Sequence, residues 1–449
     1  MSPTVVRNTL VFDGESVHQD ATVIFEPGSG LITSVSTSPV NPASYPAGAT
    51  VIDGQGHTLL PGLIDAHIHC YDLHAPEGSD PFNVLKFPLR AGVTTVCDMH
   101  SDPESVHALQ QGAKADVEQA RKLGPAGRVT FSDLKSSHLG ATIQDGWPKP
   151  VVLYHNPREE VRARVARWPN VTTSNAAAFI AEHKAAGADY IKLMQENCCS
   201  LALPTGSIPS ATLEVQTAVV DAAHGAGLNC YGHATSIEST ELVLKAGGDG
   251  LTHTFVDQPP TAAIIELYKE KGAFVIPTLV VLASLTNAEG QLRQKFADLA
   301  LGKRLIDDWS KDTGLAAMDM SAPTAKLQHA YDSVIQLKRA GIDVVAGTDS
   351  AIGLQGTMVG PSLWMELHLY VDKCGFSPLE ALRSATSVSA RRFGFHDRGL
   401  VKEGKRADLV LVSGDVTKDL AKLWEGEGIT RVWKSGIPAA GPPSETSSM

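Results

Sequence analysis

The sequence is poor in the features that mark secreted, disulfide-linked or membrane proteins. Its six cysteines include one adjacent pair, Cys198 and Cys199, and form neither a disulfide framework nor a CxxC zinc motif. No segment reaches about 18 unbroken apolar residues, the length that crosses a bilayer. The N-terminus MSPTVVRNTLVFDGE lacks the charged and then apolar segments of a secretory signal. We therefore expect a cytoplasmic protein with reduced thiols and no membrane contact.

Basic clusters are also missing. The chain has 38 Lys and Arg against 49 Asp and Glu, which gives a formal net charge of −11. Because nucleic-acid binding depends on clustered basic side chains, we expect no nucleic-acid partner. Hydrophobic residues make up 43% and charged residues 19%, an ordinary globular composition. The expected partner is a small-molecule substrate.

Short strands broken by Gly and Pro occur at both ends of the chain. VVRNTLVFDG and ATVIFEPGSGLITSV lie near the start, and GLVKEGKRADLVLVSGD lies near the end. We expect residues 1–58 and 398–440 to pair in one composite β-sandwich. Residues 441–449 are predicted to be a disordered tail.

The middle of the chain, residues 59–397, alternates apolar strand-like runs with amphipathic segments. This pattern predicts an α/β fold with a parallel sheet, and eight such runs suit a (β/α)8 TIM barrel. The candidate strands are LLPGLIDAHIH, TTVCDMH, RVTFSD, YIKLM, LNCYGHA, GLTHTF, AFVIPTLVV and DVVAGTD. AGV, AGA, AGL, AGG and AGI precede strands, as expected of a glycine that ends a helix. Two long connections, 134–172 and 282–321, are expected to cover the site.

Six polar residues fall at or near the ends of these strands: His67, His69, Lys192, His233, His253 and Asp349. Barrel enzymes keep their active sites at that end. His67 and His69 are two residues apart, so both can face inward and bind one cation. Any one histidine could be an ordinary core residue. A purely structural explanation would have to account for all six, including a buried lysine in YIKLM.

The motifs LLPGLIDAHIH, YIKLM, CYGHAT, GLTHTF and AGTDSA, in this order and spacing, resemble the metal-site motifs of the amidohydrolase superfamily. The resemblance spans nearly the whole chain. It is strongest to the imidazolonepropionase-like group, which includes metallo-dependent prolidases, Xaa-Arg dipeptidases and ochratoxin-type amidases. The tail SPLEALRSATSVSARRFGFHDRGLVKEGKRADLVLV also resembles theirs.

The resemblance implies two divalent metal ions, with zinc as the default. His67, His69 and Asp349 would bind the more buried ion, and His233 and His253 the more exposed one. As members of this family often are, the protein is expected to be a homo-oligomer.

Lys192 would bridge the ions after reaction with CO2 to a carbamate, which removes the difficulty of burying an ammonium beside two cations. A hydroxide bridging the ions would attack the substrate carbonyl, with Asp349 as general base. Asp349 and His253 are therefore candidate catalytic residues as well as ligands.

Other polar residues are candidates for substrate contact. His138, in the long connection after the third strand, could donate a catalytic hydrogen bond to the substrate carbonyl or could be a surface histidine. Tyr231 and Gln195 are further candidate substrate-binding residues. For His100, after the second strand, a substrate role and no role are equally open. Cys198 and Cys199 lack a dyad partner, which argues against a thiol nucleophile.

The leading function is hydrolysis of an amide C–N bond in an N-acyl amino acid, a dipeptide or a cyclic amide. A substrate carboxylate would need a cation, for which Lys135, Lys149 and Arg158 are candidates. The same metal centre could instead act on a lactone, carbamate or phosphotriester. A third possibility is a catalytically inactive scaffold, which the complete set of ligand positions disfavours.

Overall fold

The protein, seen in a computed structural model, is described over residues 1–38, 40–70 and 78–441. It is a mixed α/β chain, which confirms the expected class. The tail predicted at 441–449 lies, except for Gly441, outside the described residues. No described helix has both the length and the apolar character needed to cross a bilayer.

The strands lie in three sheets. In chain order they are β1 (Thr4–Phe12), β2 (Val17–Glu26), β3 (Leu31–Ser36), β4 (Thr50–Asp53), β5 (His57–Pro61), β6 (Leu63–His69), β7 (Val93–Asp98), β8 (Asp133–Ser136), β9 (Ile191–Met194), β10 (Cys230–His233), β11 (Gly250–Thr252), β12 (Phe274–Ile276), β13 (Ser350–Ala351), β14 (Leu409–Ser413), β15 (Ile429–Lys434) and β16 (Ile437–Pro438).

The helices lie mostly between the central strands. They are α1 (Asn83–Arg90), α2 (Pro103–Lys122), α3 (Lys149–His155), α4 (Glu159–Val165), α5 (Ala176–Ala185), α6 (Leu213–Gly225), α7 (Ile237–Lys245), α8 (Ala262–Lys271), α9 (Leu279–Leu285), α10 (Gly290–Gly302), α11 (Asp308–Leu315), α12 (Leu327–Arg339), α13 (Pro361–Asp372), α14 (Pro378–Ser384) and α15 (Ser387–Arg392).

Strands from both ends of the chain form one eight-stranded sheet. Its order is β16-β15-β14-β5-β1-β2-β3, with β4 paired to β1. β14 is antiparallel to β5, from the pair Leu409 and Pro61 to the pair Ser413 and His57. Phe25 on β2 and Trp433 on β15 have ring centroids 5.5 Å apart although three strands separate them in the sheet. The sheet therefore curls over a core to which both ends of the chain contribute.

The central strands form two parallel four-stranded sheets, with orders β13-β6-β7-β8 and β12-β11-β10-β9. Single bridges link them near both edges: Ala141, in the chain after β8, pairs with Leu193 on β9, and Val344, in the chain before β13, pairs with Val275 on β12. Backbone pairing thus passes from each sheet to the other on both sides.

The helices bury one apolar face against these sheets. In α12, Leu327, Ala330, Tyr331, Val334 and Leu337 are buried at helical spacing. The AG tripeptides behave as predicted, because their glycines have positive φ: Gly92 (81°), Gly187 (86°), Gly227 (77°), Gly247 (93°) and Gly341 (77°). Only glycine adopts this conformation at low cost, so it ends each helix and turns the chain toward the next strand.

The two long connections contain helices of their own. The connection after β8 carries α3 and α4, and the connection after β12 carries α9, α10 and α11. Both supply residues to a cavity of about 660 Å³ at the carboxyl ends of the parallel strands. The two long connections therefore lie beside this cavity, as the sequence predicts.

Candidate metal centre

All six predicted ligand positions line this cavity. His67 and His69 on β6 approach one oxygen of Asp349: the distances from their Nε2 atoms to Asp349 Oδ1 are 3.1 Å and 2.8 Å. His253 Nε2 lies 3.8 Å from the other oxygen, Oδ2. β6 pairs with β13 at Ser350 and Ala351, so the residue before β13 is held beside the end of β6.

The remaining positions extend this cluster toward β9 and β10. The ring centroids of His67 and His253 are 5.1 Å apart, and those of His253 and His233 are 4.7 Å apart. Lys192 on β9 is buried, and its Nζ contacts Thr252 Oγ1 at the end of β11. Parallel strands that end at one level have thus brought the six side chains into one group.

Burial and charge set the protonation of this group. Burial lowers the pKa of His67 to about 3. Burial also lowers the pKa of Lys192 to about 7, although the carboxylates of Asp349 and Asp98 oppose the shift. For Asp349, burial alone would raise the pKa, but His67, His69 and His253 hold it well below its usual range. At neutral pH the cluster therefore offers the neutral imidazole of His67 and the anionic carboxylate of Asp349.

The donor set fits a divalent cation. One ligand atom each from His67, His253 and Asp349 lie within 4.8 Å of one another. Among the described residues, His67 Nε2 and Asp349 Oδ1 are buried and make no hydrogen bond. Buried polar atoms that lie this close together without a hydrogen bond are rare in the absence of a ligand. His253 (φ 81°) and Asp349 (φ 56°) also have strained left-handed backbones, a conformation that clusters at functional sites.

Neighbours set the tautomers of two histidines. His253 Nδ1 lies 2.7 Å from Thr278 Oγ1, which itself donates to Pro277 O, so His253 must be the donor. This leaves the lone pair of His253 on Nε2, the atom nearest Asp349. His233 Nε2 lies 3.1 Å from Glu196 Oε2, which leaves its Nδ1 free to bind a cation.

Glu196 was missed by the sequence analysis. It is buried after the end of β9, and it also accepts hydrogen bonds from Thr235 Oγ1 (2.6 Å) and the Cys198 backbone N–H (2.8 Å). The available signal was an acidic residue in the run QENCCS that follows the strand of Lys192. Gln195, Cys198 and Cys199 of this run were weighed from the sequence, but Glu196 was not.

Asp65 links the β6 backbone beside His67 to the segment before β13 that carries Asp349. Its Oδ1 accepts from the backbone N–H groups of His67 (3.2 Å) and Thr348 (3.1 Å), and its Oδ2 accepts from Thr348 Oγ1 (2.8 Å). Burial raises the pKa of Asp65 to about 7. The residue acts on the site by fixing the backbone beside the ligands.

The expected substrate contact of Tyr231 finds no support in the position of its side chain. Its hydroxyl donates to the carbonyl of Arg392, 3.1 Å away, and its ring packs against Tyr190, Phe274 and Phe393. It does not line the cavity among the described residues. Tyr231 lies two residues before His233, so it packs deeper between the sheets, toward α15.

Gln195 and His138 also point away from the cavity. Lys192 and Met194 line it, so alternation turns Gln195 outward, where its Oε1 accepts from Gln216 at 2.9 Å. His138 has a left-handed backbone (φ 56°) and packs near His107, with 5.3 Å between ring centroids. A catalytic role or a substrate contact for His138 therefore finds no support in its position.

His100 does line the cavity. Its Nδ1 accepts a hydrogen bond from the Gly140 backbone N–H at 2.8 Å, so the ring proton must be on Nε2. Among the described residues, Nε2 has no hydrogen-bond partner. The residue left open by the sequence analysis is thus a neutral hydrogen-bond donor in the cavity wall.

Comparisons with known proteins find similar sequences over most of the chain. Residues 58–437 match the family model described as the Amidohydrolase family. An ochratoxinase of Aspergillus niger is 28% identical over 204 residues, which cover 44% of this chain and 35% of that protein. The chain thus matches about a third of that relative. An imidazolonepropionase of Deinococcus deserti is 25% identical over 401 residues, 87% of this chain and 86% of that protein.

The structure is also similar to a solved relative. The crystal structure of the A. niger ochratoxinase superposes with a TM-score of 0.69 at 20% identity, covering 98% of this chain and 97% of that one. At this identity the likeness shows a shared fold.

Proposed function

Because the chain belongs to the amidohydrolase family, we propose that it is a metal-dependent hydrolase that cleaves an amide C–N bond. The observation that carries the proposal is the convergence of His67, His69 and His253 on Asp349 at the base of a large cavity. The bridged edges of the two parallel sheets support a closed (β/α)8 barrel as the scaffold.

Two divalent cations, proposed to be zinc, would be held by this chain. His67, His69 and Asp349 would hold one ion, and His233 and His253 the other, because imidazole and carboxylate are ligands that zinc prefers. When bound, such ions supply an activated water at neutral pH and polarise a substrate carbonyl.

Lys192 is proposed to become a carbamate that bridges the two ligand groups. With a pKa lowered to about 7 by burial, a substantial fraction of its amine is neutral near neutral pH. The neutral amine attacks CO2, forms an N–C bond and releases a proton, so that a buried cation becomes an anion. Thr252 Oγ1, which contacts Nζ, is placed to hydrogen-bond the product.

Asp349 is proposed as the general base. Its Oδ1 lies against His67 and His69, which leaves Oδ2 as the oxygen placed to take a proton from the attacking water. The same oxygen would return the proton to the leaving nitrogen. Asp65 holds the strand end beside Asp349 through Thr348, so the carboxylate needs little movement between the two transfers.

A substrate screen distinguishes amide hydrolysis from the other reactions that the same metal centre could catalyse. N-acyl amino acids, dipeptides and cyclic amides are the first amides to test, and lactones, carbamates and phosphotriesters are the alternatives. An inactive scaffold is disfavoured because all six ligand positions line one cavity. Homo-oligomeric assembly and a cytoplasmic location stay predictions from the sequence.

The test combines metal analysis with a hydrolysis screen. We expect plasma mass spectrometry to find about two divalent ions per chain, as in binuclear hydrolases. Asp349→Asn should fold but lose hydrolysis, while Asp221→Asn, an exposed change on α6, should behave as wild type. A folded wild-type protein that binds no metal after supply of zinc and bicarbonate would exclude the proposal.

A further inference from the structure

The walls of the cavity above the metal centre are largely apolar. One wall comes from the connection after β8 and includes Trp147, Val152 and Trp168. Another comes from α9 and the chain after α11, and includes Leu282, Leu285 and Met318. Trp147 stacks on the His233 ring, with centroids 5.1 Å apart and 22° between the planes. An apolar surface therefore begins directly beside a candidate ligand.

The described residues that line the cavity offer no free Lys or Arg to pair with a substrate carboxylate. Among the described lining residues, Lys192 is the single Lys or Arg, and it belongs to the metal centre. The stretch 71–77, outside the described residues, reads YDLHAPE and contains neither Lys nor Arg. A buried carboxylate without a charged partner is strongly disfavoured.

The three cations considered from the sequence are engaged elsewhere. Lys135 Nζ pairs with Asp189 at 2.9 Å. Lys149 Nζ donates to the carbonyls of Ile143 (3.0 Å) and Pro169 (2.8 Å). Neither lysine lines the cavity.

The third cation, Arg158, pairs with Glu160 at 3.1 Å and does not line the cavity either. The sequence-based candidates for a carboxylate site are therefore not available to a substrate bound at the metal centre.

The polar groups that the cavity does present suit an uncharged substrate. His100 is held as the Nε2–H tautomer by the Gly140 N–H, so it offers a neutral donor to a carbonyl oxygen. Asp312 places a carboxylate at the exposed side of the cavity, where it would repel a substrate anion. Outside the ligand cluster and His100, His155 is the one further histidine among the described lining residues.

We propose that the natural substrate is an uncharged amide or related carbonyl compound with apolar substituents, and not a free dipeptide or an N-acyl amino acid. The proposal rests on the proposed hydrolase function and narrows its substrate class. It separates uncharged amides from substrates with a free carboxylate, which the metal ligands alone do not distinguish.

Binding of a matched pair of ligands tests the proposal without depending on turnover. N-benzoylphenethylamine and N-benzoylphenylalanine differ only by one carboxylate, and their affinities for the metal-loaded protein can be measured by calorimetry. We expect the neutral amide to bind about a hundredfold more tightly, the cost of an unpaired buried charge. Equal or tighter binding of the acid, or binding of neither compound, would overturn the proposal.

Two variants test which residues cause the preference for the neutral amide over the acid. Asp312→Lys should improve binding of the acid about tenfold by supplying the missing cation, whereas Asp221→Lys on the exposed face of α6 should not. His155→Leu should leave the ratio unchanged. A loss of acid binding in His155→Leu would contradict the proposal, because it would identify a carboxylate site.

Failure of this proposal is distinguishable from failure of the proposed function. A metal-loaded protein that hydrolyses N-benzoylphenylalanine but not the neutral analogue overturns the substrate class and keeps the hydrolase. A protein without metal and without hydrolysis overturns the function itself.

Discussion

Glu196 Oε2 lies 3.1 Å from Nε2 of His233. The carboxylate is buried, and Thr235 and the Cys198 N–H hold it in place through hydrogen bonds of 2.6 Å and 2.8 Å. A carboxylate on the far nitrogen of a metal-binding histidine fixes both the ring orientation and the tautomer. Glu196 is therefore a positioning residue for His233.

Replacing this carboxylate should weaken metal binding without unfolding the protein. Glu196→Gln keeps the side-chain size but removes the anionic acceptor, so we expect a loss of roughly 10–100-fold in affinity for the ion held by His233. A competition titration with a chromogenic chelator measures the change. Glu118→Gln, on the exposed face of α2, is the control, and an affinity equal to that of the control would contradict the positioning role.

The carbamate on Lys192 should make metal loading depend on CO2 and on pH. Because the amine must be neutral to react and its pKa is about 7, loading of apoprotein should slow as the pH falls below about 7. Bicarbonate should increase loading in wild type and have no effect in Lys192→Ala. A carbamate signal with ¹³C-labelled bicarbonate in NMR provides a direct check, and loading insensitive to bicarbonate would oppose the carbamate.

Strand periodicity explains why the six ligand positions could be predicted. His67 and His69 share a face because strand side chains alternate, and the carboxyl ends of parallel strands lie at one level. These rules need no knowledge of packing. They placed His233, His253 and Asp349 at the correct end of the fold.

The same rules do not predict where a side chain points when its residue lies outside a regular strand. They also do not predict how deep in the core a strand residue lies. β9 ends at Met194, so alternation no longer orients Glu196 two residues later. His138 has a left-handed backbone that turns its side chain away from the cavity. Tyr231 points to the same side as His233, but its depth between the sheets depends on strand tilt and on the packing of α15, which a sequence pattern does not contain.

The buried position of Tyr231 leads to a prediction about stability. Tyr231→Phe removes its hydrogen bond to the Arg392 carbonyl and should lower the free energy of unfolding by about 1 kcal/mol. KM should be unchanged, because the ring lies away from the cavity. Denaturant unfolding and steady-state kinetics separate the two effects. A large rise in KM with unchanged stability would restore the substrate contact.

Glu366 should make stability decrease with rising pH. It is buried on α13, accepts from the N–H groups of Leu279 and Val280 at 2.9 Å each, and burial raises its pKa from 4.5 to about 8. The folded state therefore favours the protonated form. Its contribution is fully present below about pH 4.5 and is lost as the pH rises toward 8.

Glu366→Gln keeps an acceptor for α9 without an ionisable group. Its unfolding free energy should vary less between pH 5 and 8 than that of wild type, by roughly a few kcal/mol. Urea titrations at several pH values measure this, with Glu118→Gln as the exposed control. Parallel pH profiles for wild type and Glu366→Gln would show that Glu366 does not titrate in this range.

Trp147 should matter for substrate binding and for the geometry of His233. It lines the cavity and stacks on the His233 ring at 5.1 Å, so Trp147→Ala removes both an apolar wall and a ring that restrains the histidine. Aromatic stacking contributes about 0.5–1.5 kcal/mol beyond the buried area, so the truncation should lower kcat/KM for an apolar amide by tenfold or more. Trp147→Phe should recover most of the loss because a ring can still stack. If instead Trp147→Ala and Trp147→Phe lose activity equally while the metal content is unchanged, the substrate must contact the indole itself. The cavity wall would then bind a polar acceptor group of the substrate.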